Sequence, residues 1–300
     1  MFVEFFLVFA AAILAGLLGA LVGIGGGVII VTALSLFFHL SIHVAIAASL
    51  VSVIATSIAG ALRFVKQRLA DVKLGMFLEM ATTIGAVVGA FVGVLLSAYV
   101  LSLVFGAFLL YTAINSLRGG RKEKAAGGVQ NDEGAVSSGL SDSQDTSGKL
   151  LKKGAYYDKS TKLEVEYIPV RPLPGALVVS FAGVAAGLLG IGGGVINVAA
   201  MNSIMKVPVK VSIATSQFMI AVTAATGAIV YFLAGGINVY VVAPAALGTL
   251  LGSTTGSLLM NRLPVKVIKT LFQFLLLYLG YQMIAKGLLM GFGMKLPGSV

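Results

Sequence analysis

The sequence predicts an all-α polytopic membrane protein built from two inverted-topology repeats of about five helical segments each, with glycine-broken hairpin helices meeting near mid-membrane. Composition is the first ground. Of 300 residues, 58% are hydrophobic and 11% charged, with a mean hydropathy of +1.01, whereas a soluble domain carries roughly 25% charge. Segment length is the second, because several apolar stretches approach or exceed the roughly 20 residues that cross hydrocarbon. The third is a repeated phrase: Gly23-Ile24-Gly25-Gly26-Gly27-Val28-Ile29 returns letter for letter as Gly190-Ile191-Gly192-Gly193-Gly194-Val195-Ile196. These stretches lack the alternation that a membrane β-barrel requires.

The same offset of 167 residues pairs Val44, Ile46, Ala47 and Ser49 with Val211, Ile213, Ala214 and Ser216, and then Thr56 with Thr223, Gly60 with Gly227 and Thr82 with Thr249. One membrane unit is therefore used twice. In the first copy (residues 1–118) the segments fall at about 2–22, 27–38, 43–63, 73–97 and 99–118. In the second (residues 173–300) they fall at about 173–189, 194–205, 210–234, 239–260 and 265–287. The second segment of each copy is about 12 residues, roughly 18 Å as helix, and too short to span alone. Joined to its predecessor through the glycines, it forms a hairpin that dips in and returns. A hairpin and three spanning helices give an odd number of crossings, as inversion requires.

Charge sets the orientation. Loop 63–73 holds Arg63, Lys66, Arg68 and Lys73 against Asp71, whereas its counterpart near 230–240 has no charge. Loop 38–43 has no Lys or Arg, but its counterpart carries Lys206 and Lys210. The turn at 97–99 is neutral and its counterpart holds Arg262 and Lys266. Basic loops in one copy thus match neutral loops in the other, and the positive-inside rule turns the copies upside down relative to each other. Loop 63–73 and the linker 119–172 fall on the cytoplasmic side and both termini outside, although Lys286 and Lys295 would then be external. Glu4 is the only charge before Arg63, so the first segment does not read as a cleavable signal.

Linker residues 119–148 are rich in Gly, Ser, Asp, Gln and Ala and cannot bury enough surface to fold. In 155–170, Leu163, Val165 and Tyr167 alternate with Glu164 and Glu166 after the turn-like Asp158-Lys159-Ser160-Thr161, which predicts a small β-hairpin. It serves either as a spacer or as a regulatory element.

Several chemistries are excluded. Without cysteine there is no disulfide, thiolate or thiol-metal site, and His39 and His43 are too few imidazoles for a zinc centre. No cofactor is expected. The net charge of +10 sits mostly at loop ends, where it directs topology, so nucleic acid is not an expected partner. No nucleophile–base pair suggests an enzyme.

The glycine runs are the candidate site. Backbone broken at membrane depth survives only inside protein or lining a cavity, and a duplicated break points to a transporter site at the repeat interface. A helix begins after each run, so the amides of about Gly26 to Ile29 and Gly193 to Ile196 are free to face a ligand. Such a terminus suits an anion and contributes about 0.3–2 kcal/mol. The alternative use of the glycines is close helix packing, since Gly19 and Gly23 also read as GxxxG. The candidate substrate-binding set is Gly25, Gly26, Gly27, Val28, Gly192, Gly193, Gly194, Val195 and Asn197, with Ser49, Thr215, Ser216 and Gln217 on the third helices as further donors. Those hydroxyls have interhelical hydrogen bonding as their alternative role. Asn197 stands where the first copy has Ile30, and either tunes the site or caps a neighbour. Glu79 is the one carboxylate well inside a membrane segment. It is either a proton-coupling group or a side chain snorkelling toward Lys73.

In the phrases Gly187-Leu188-Leu189-Gly190-Ile191-Gly192-Gly193-Gly194-Val195-Ile196-Asn197 and Ala214-Thr215-Ser216-Gln217-Phe218, with a weaker first copy at Gly19–Ile30, the chain resembles the TauE/SafE family of sulfite exporters. The likeness covers nearly everything except the linker. It implies a multi-pass carrier in a bacterial or archaeal plasma membrane that moves sulfite or organosulfonates, typically outward, with proton coupling. Members often carry proline a few residues after the glycines, where this chain has Thr32 and Ala199. The expectation is a secondary transporter of a small sulfur-containing anion working by alternating access. An anion channel and a non-transporting scaffold acting through the linker are the alternatives.

Overall fold

The computed structural model describes residues 2–22, 26–67, 69–125, 154–158, 163–259, 265–294 and 297. The first copy comprises α1 (Phe2–Val22), α2 (Gly27–Leu36), α3 (Ile42–Lys66), α4 (Val72–Leu95) and α5 (Ala98–Ala125). Strands β1 (Gly154–Asp158) and β2 (Leu163–Tyr167) follow. The second copy comprises α6 (Pro172–Leu189), α7 (Gly194–Ser203), α8 (Val209–Leu233), α9 (Val239–Leu259) and α10 (Val265–Phe292). Among the described residues, seven helices are long and apolar enough to cross a membrane: α3, α4, α6 and α8 at full length, and apolar stretches of α5, α9 and α10. The protein is a multi-pass membrane protein.

The neighbours exchange under the 167-residue offset. Helix α1 lies along α9 and α4 along α6, which are each other's counterparts, while α3 packs on its own counterpart α8 and α5 on α10. Glycines make these contacts close. A Cβ on Gly85 would lie 2.2 Å from the Ser180 carbonyl oxygen, and one on its counterpart Gly252 would lie 2.1 Å from that of Ile13, the counterpart of Ser180. In membranes, such small residues let helices approach where no hydrophobic force drives them together.

The contacts also give helix directions. Gly85, Gly89 and Gly93 meet Ser180, Val184 and Leu188 in turn, so α4 and α6 run parallel. Gly60 meets Gln217 and Gly227 meets Leu50, so α3 and α8 run antiparallel. Gly106 faces Gly280 and Ile284 while Gly291 faces Tyr99, so α5 and α10 do as well.

The short helices return toward the side they came from. The backbone N–H of Val170, just before α6, donates to the Met205 carbonyl just after α7 at 3.0 Å. Within α2 every residue but Ala33 is buried, which meets the requirement that interrupted backbone at membrane depth be enclosed by protein.

Asp71 starts α4 by accepting the Leu74 amide on Oδ1 at 3.0 Å, and its counterpart Asn238 accepts the Tyr240 amide at 3.1 Å at the start of α9. Helix α5 continues to Ala125, past the expected end at 118. The two strands pair antiparallel with Gly154 opposite Tyr167 and Asp158 opposite Leu163. The mobile stretch expected at 119–148 lies outside the described residues from position 126 on.

Candidate substrate site

Each half-helix starts on a left-handed glycine. Gly26 caps α2 with φ +74° and Gly193 caps α7 with φ +67°, while Gly190 and Gly192 have φ +70° and +73°. A side chain in this region costs about 1–2 kcal/mol from backbone strain alone. Space is short as well, since a Cβ on Gly193 would lie 2.9 Å from the Ala182 oxygen. Gly23, Ile24 and Gly25 lie outside the described residues.

The amides are more committed than the sequence suggests. Ile29 and Ile30 both donate to the Gly26 carbonyl at 3.1 Å, and Asn197 donates to that of Gly193 at 3.1 Å. The free run expected to reach Ile29 therefore ends earlier, because the glycine carbonyl closes the first turn. Gly27 and Val28, and Gly194, Val195 and Ile196, occupy first-turn positions for which an α-helix offers no acceptor.

The two breaks touch. Ser49 Oγ lies 3.0 Å from the Gly27 carbonyl in its own copy and 2.8 Å from the Gly190 carbonyl in the other. Its partner Ser216 donates to the Gly194 carbonyl at 3.3 Å. Val53 and Ile220, themselves counterparts, wall the junction. Val53 sits 2.8 Å from the Cβ position of Gly27, and Ile220 sits 2.6 Å from that of Gly194.

Among the described residues Ser57, Glu79 and Asn197 keep buried side-chain polar atoms without a partner, and Asn197 keeps two. Most hydroxyls in the spanning helices are satisfied by a carbonyl one turn back, as Ser52 is by Ala48 and Thr249 by Ala245. Asn197 is 1% exposed, and neither its Oδ1 nor its Nδ2 has a hydrogen-bond partner. A buried polar group left without a partner costs about 1–3 kcal/mol. It lies on α7 one turn beyond Gly193.

Two candidates point elsewhere. Adjacent helical residues are about 100° apart, so Thr215 and Gln217 leave the face that Ser216 turns to the break. Thr215 Oγ1 accepts the Asp71 amide at 3.0 Å, and Gln217 packs on Gly60 of α3. Glu79 does not reach toward Lys73. It is 7% exposed, and its Oε1 accepts from Thr223 at 2.8 Å and from Thr83 at 3.1 Å. Its Oε2 has no partner. Thr223 and Ser216 share one stripe of α8, seven residues or about 10 Å apart along the axis.

Two arrangements were not legible beforehand. Lys286 of α10 donates to the backbone oxygen of Ser35 and, at 2.9 Å, to its hydroxyl. A cation there meets the negative end of α2, the half-helix whose positive end lies at the break. Tyr167 donates to Asp71 Oδ2 at 2.8 Å. In the sequence Asp71 reads only as the acid of a basic loop, and no local pattern names a partner so far along the chain.

Residues 8–283 match the family described as sulfite exporter TauE/SafE. The chain belongs to this family. TauE/SafE proteins are membrane transporters, so this chain is a transporter and not an enzyme. It is 28% identical over 292 residues to the probable membrane transporter protein YunE of Bacillus subtilis (strain 168), covering 95% of this chain and 99% of that one. It is 26% identical over 269 residues to the probable membrane transporter protein MamO of Magnetospirillum gryphiswaldense, covering 87% of this chain but 42% of that one. No solved structure matches.

Proposed function

We propose that this chain is a secondary carrier that exports a small sulfur oxyanion, sulfite or an organosulfonate, by alternating access between two inverted copies. Support for inversion comes from the helix directions. A two-fold operation that maps α3 onto an antiparallel α8, and α5 onto an antiparallel α10, has its axis across the helices, which lies in the membrane plane if they stand upright. The linker, residues 119–172, and loop 63–73 then face the cytoplasm.

The site in this reading is the junction of the two breaks, formed by Gly25, Gly26, Gly27 and Val28 with Gly192, Gly193, Gly194 and Val195, together with Ser49, Ser216 and Asn197. Thr215 and Gln217 turn instead to Asp71 and to Gly60 and stand outside the junction. The observation that carries the reading is Asn197. A fully buried amide with no partner, one turn from a half-helix N-terminus, is a donor held for something the folded chain does not itself supply. An oxyanion would take that N–H together with first-turn amides, and amides without a full positive charge allow release. Glu79 is the proton-coupling group, with Thr223 connecting it to the stripe that carries Ser216.

One observation favours a different use of the same glycines. Ser49 and Ser216 direct their hydroxyl hydrogens at carbonyls, and Val53 and Ile220 fill the junction, as close packing would require. Binding separates the two uses. Thermal shifts of the purified protein with sulfite, sulfate, thiosulfate, sulfoacetate and taurine should show stabilisation by at least one, and Asn197→Ile should remove it. Equal shifts in parent and variant would leave the breaks as packing devices. Counterflow of labelled sulfite in liposomes marks a carrier, single-channel current marks a channel, and neither would leave a scaffold.

A further inference from the structure

Residues 167–171 add side-chain and backbone bonds between parts of the molecule that, at this end, are otherwise joined by the short connection from α7 to α8 and by apolar packing. Tyr167 donates to Asp71 Oδ2 at 2.8 Å, while Asp71 Oδ1 caps the Leu74 amide at 3.0 Å and the Asp71 N–H donates to Thr215 Oγ1 at 3.0 Å. One aspartate thus links the strap to the starts of both α4 and α8. Three residues on, the Val170 N–H donates to the Met205 carbonyl at the end of α7. The strap therefore holds the α6–α7 hairpin against the α4–α8 pair.

Beneath it lies an apolar cluster separate from the main core. Leu74, Val179, Met201, Met205, Val211 and Met219 are buried there, and Tyr167 packs against them. Three of the nine buried members of this cluster are methionines, whose unbranched chains repack readily when a surface parts and closes. The opposite mouth is built differently. Asn238 takes the place of Asp71 and caps α9, but Ala48 takes the place of Thr215 and has no hydroxyl to accept an amide.

We propose that residues 167–171 are a latch that closes the linker-side mouth of the α7 break by tying the re-entrant hairpin to α4 and α8. In the state described here this mouth is shut, and opening it requires the Tyr167–Asp71 bond to break. The device gives the β-hairpin a purpose, since its second strand ends on Tyr167 and leads directly into the latch. It rests on the proposed alternation of the site, but its test does not require a substrate.

The chain has no cysteine, so a single Ser212→Cys places one thiol next to Val211 of this cluster, at a residue buried in the closed state and hydrogen-bonded to the carbonyl of the cluster residue Val207. The probe is a charged maleimide applied to the full-length protein in detergent. Tyr167→Phe removes only the hydroxyl and should speed labelling about tenfold, the scale of a hydrogen bond to a charged acceptor. Asp71→Asn keeps the α4 cap, reproduces the residue of the other copy, and should label at a rate between parent and Tyr167→Phe. Parent-like labelling in both variants would overturn the latch. Sulfite counterflow measured in parallel reports on the carrier reading, so its absence in the parent would count against that reading and leave the labelling result to judge the latch.

Discussion

The two copies share a skeleton and differ in chemistry. Gly26 and Gly193 start the half-helices with the same left-handed backbone, Ser49 and Ser216 both reach the break, and Gly85 and Gly252 bring paired helices equally close. Against this background the polar groups are one-sided. Asn197 faces Ile30 across the repeat, Glu79 faces Ala246, Thr215 faces Ala48, and Lys286 ends α2 whereas α7 ends with Asn202 donating to the Val207 carbonyl at 3.1 Å. Helix α2 is wrapped in protein, but α7 exposes Ala199 and Ser203. Duplication has preserved what the backbone needs while the buried polar side chains diverged, so in the proposed reading a symmetric frame carries an asymmetric site.

The shared features should be the most costly to change. Valine at Gly85 or Gly252 would put a Cβ within 2.2 Å or 2.1 Å of a backbone oxygen on the neighbouring helix, and backbone cannot move aside cheaply. Overpacking of this kind costs at least about 1–3 kcal/mol. Both variants should lose most of their monodisperse yield and to similar degrees, as read by size-exclusion chromatography of detergent extracts. A large loss at one position with tolerance at the other would break the equivalence of the α4–α6 and α1–α9 pairs.

Exchanging Asn197 for the residue of the other copy comes next. Asn197→Ile removes an unpartnered buried amide, so thermal stability should hold or rise by up to about 1–3 kcal/mol, while sulfite-induced stabilisation is lost. The reciprocal Ile30→Asn buries a new amide and should destabilise by a similar amount without gaining affinity. Opposite signs for stability and binding at one residue mark a group retained for its ligand. If Asn197→Ile binds as the parent does, the asymmetry is incidental.

How much of this was legible in the sequence follows the same division. The glycine phrases announced both breaks, because left-handed backbone and close contact each demand glycine. The alternation around Leu163 and Val165 announced the hairpin, whereas Asp71 stood in the sequence only as the acid of a basic loop and its capping of α4 came from the structure. The boundary at 118 followed the end of the apolar run, but Arg121, Lys122, Lys124 and Ala125 favour helix, and α5 continues. What stayed hidden depended on partners far along the chain. Ser49 bonds to Gly190 and Lys286 to Ser35 across the repeat, and no local period encodes those pairings. Thr215 and Ser216 are adjacent in sequence, but the helix turns them toward different neighbours.

Glu79 offers a subtler separation. It belongs to the first copy but rests on Thr223 of the second, and Ala246 leaves the reciprocal place without an acid. One carboxylate predicts one proton-coupled step rather than two. Glu79→Gln keeps the shape and acceptor oxygen while removing the titratable group. Sulfite counterflow at equal pH should stay within about threefold of the parent, an effect on the scale of one modest hydrogen bond, while uphill movement driven by a pH gradient should vanish. Retained pH-driven accumulation would place the coupling elsewhere.

The smallest effect is expected at Gln217, where the copies differ without consequence. Gln217 packs against Gly60 just as Leu50 packs against Gly227, with closest approaches of 3.0 Å and 3.3 Å to the Cβ positions of the two glycines. The site is thus filled by a side chain of similar reach in either copy, on the face of α8 that looks to α3 rather than to the break. Gln217→Leu should change thermal stability by no more than about 0.5 kcal/mol, the usual range away from special features, and should leave sulfite binding at the parent value. A marked loss of binding would bring the amide of Gln217 into the site and enlarge the asymmetry from one residue of α7 to a face shared with α8. A parent-like result would confine the ligand-directed difference between the copies to Asn197.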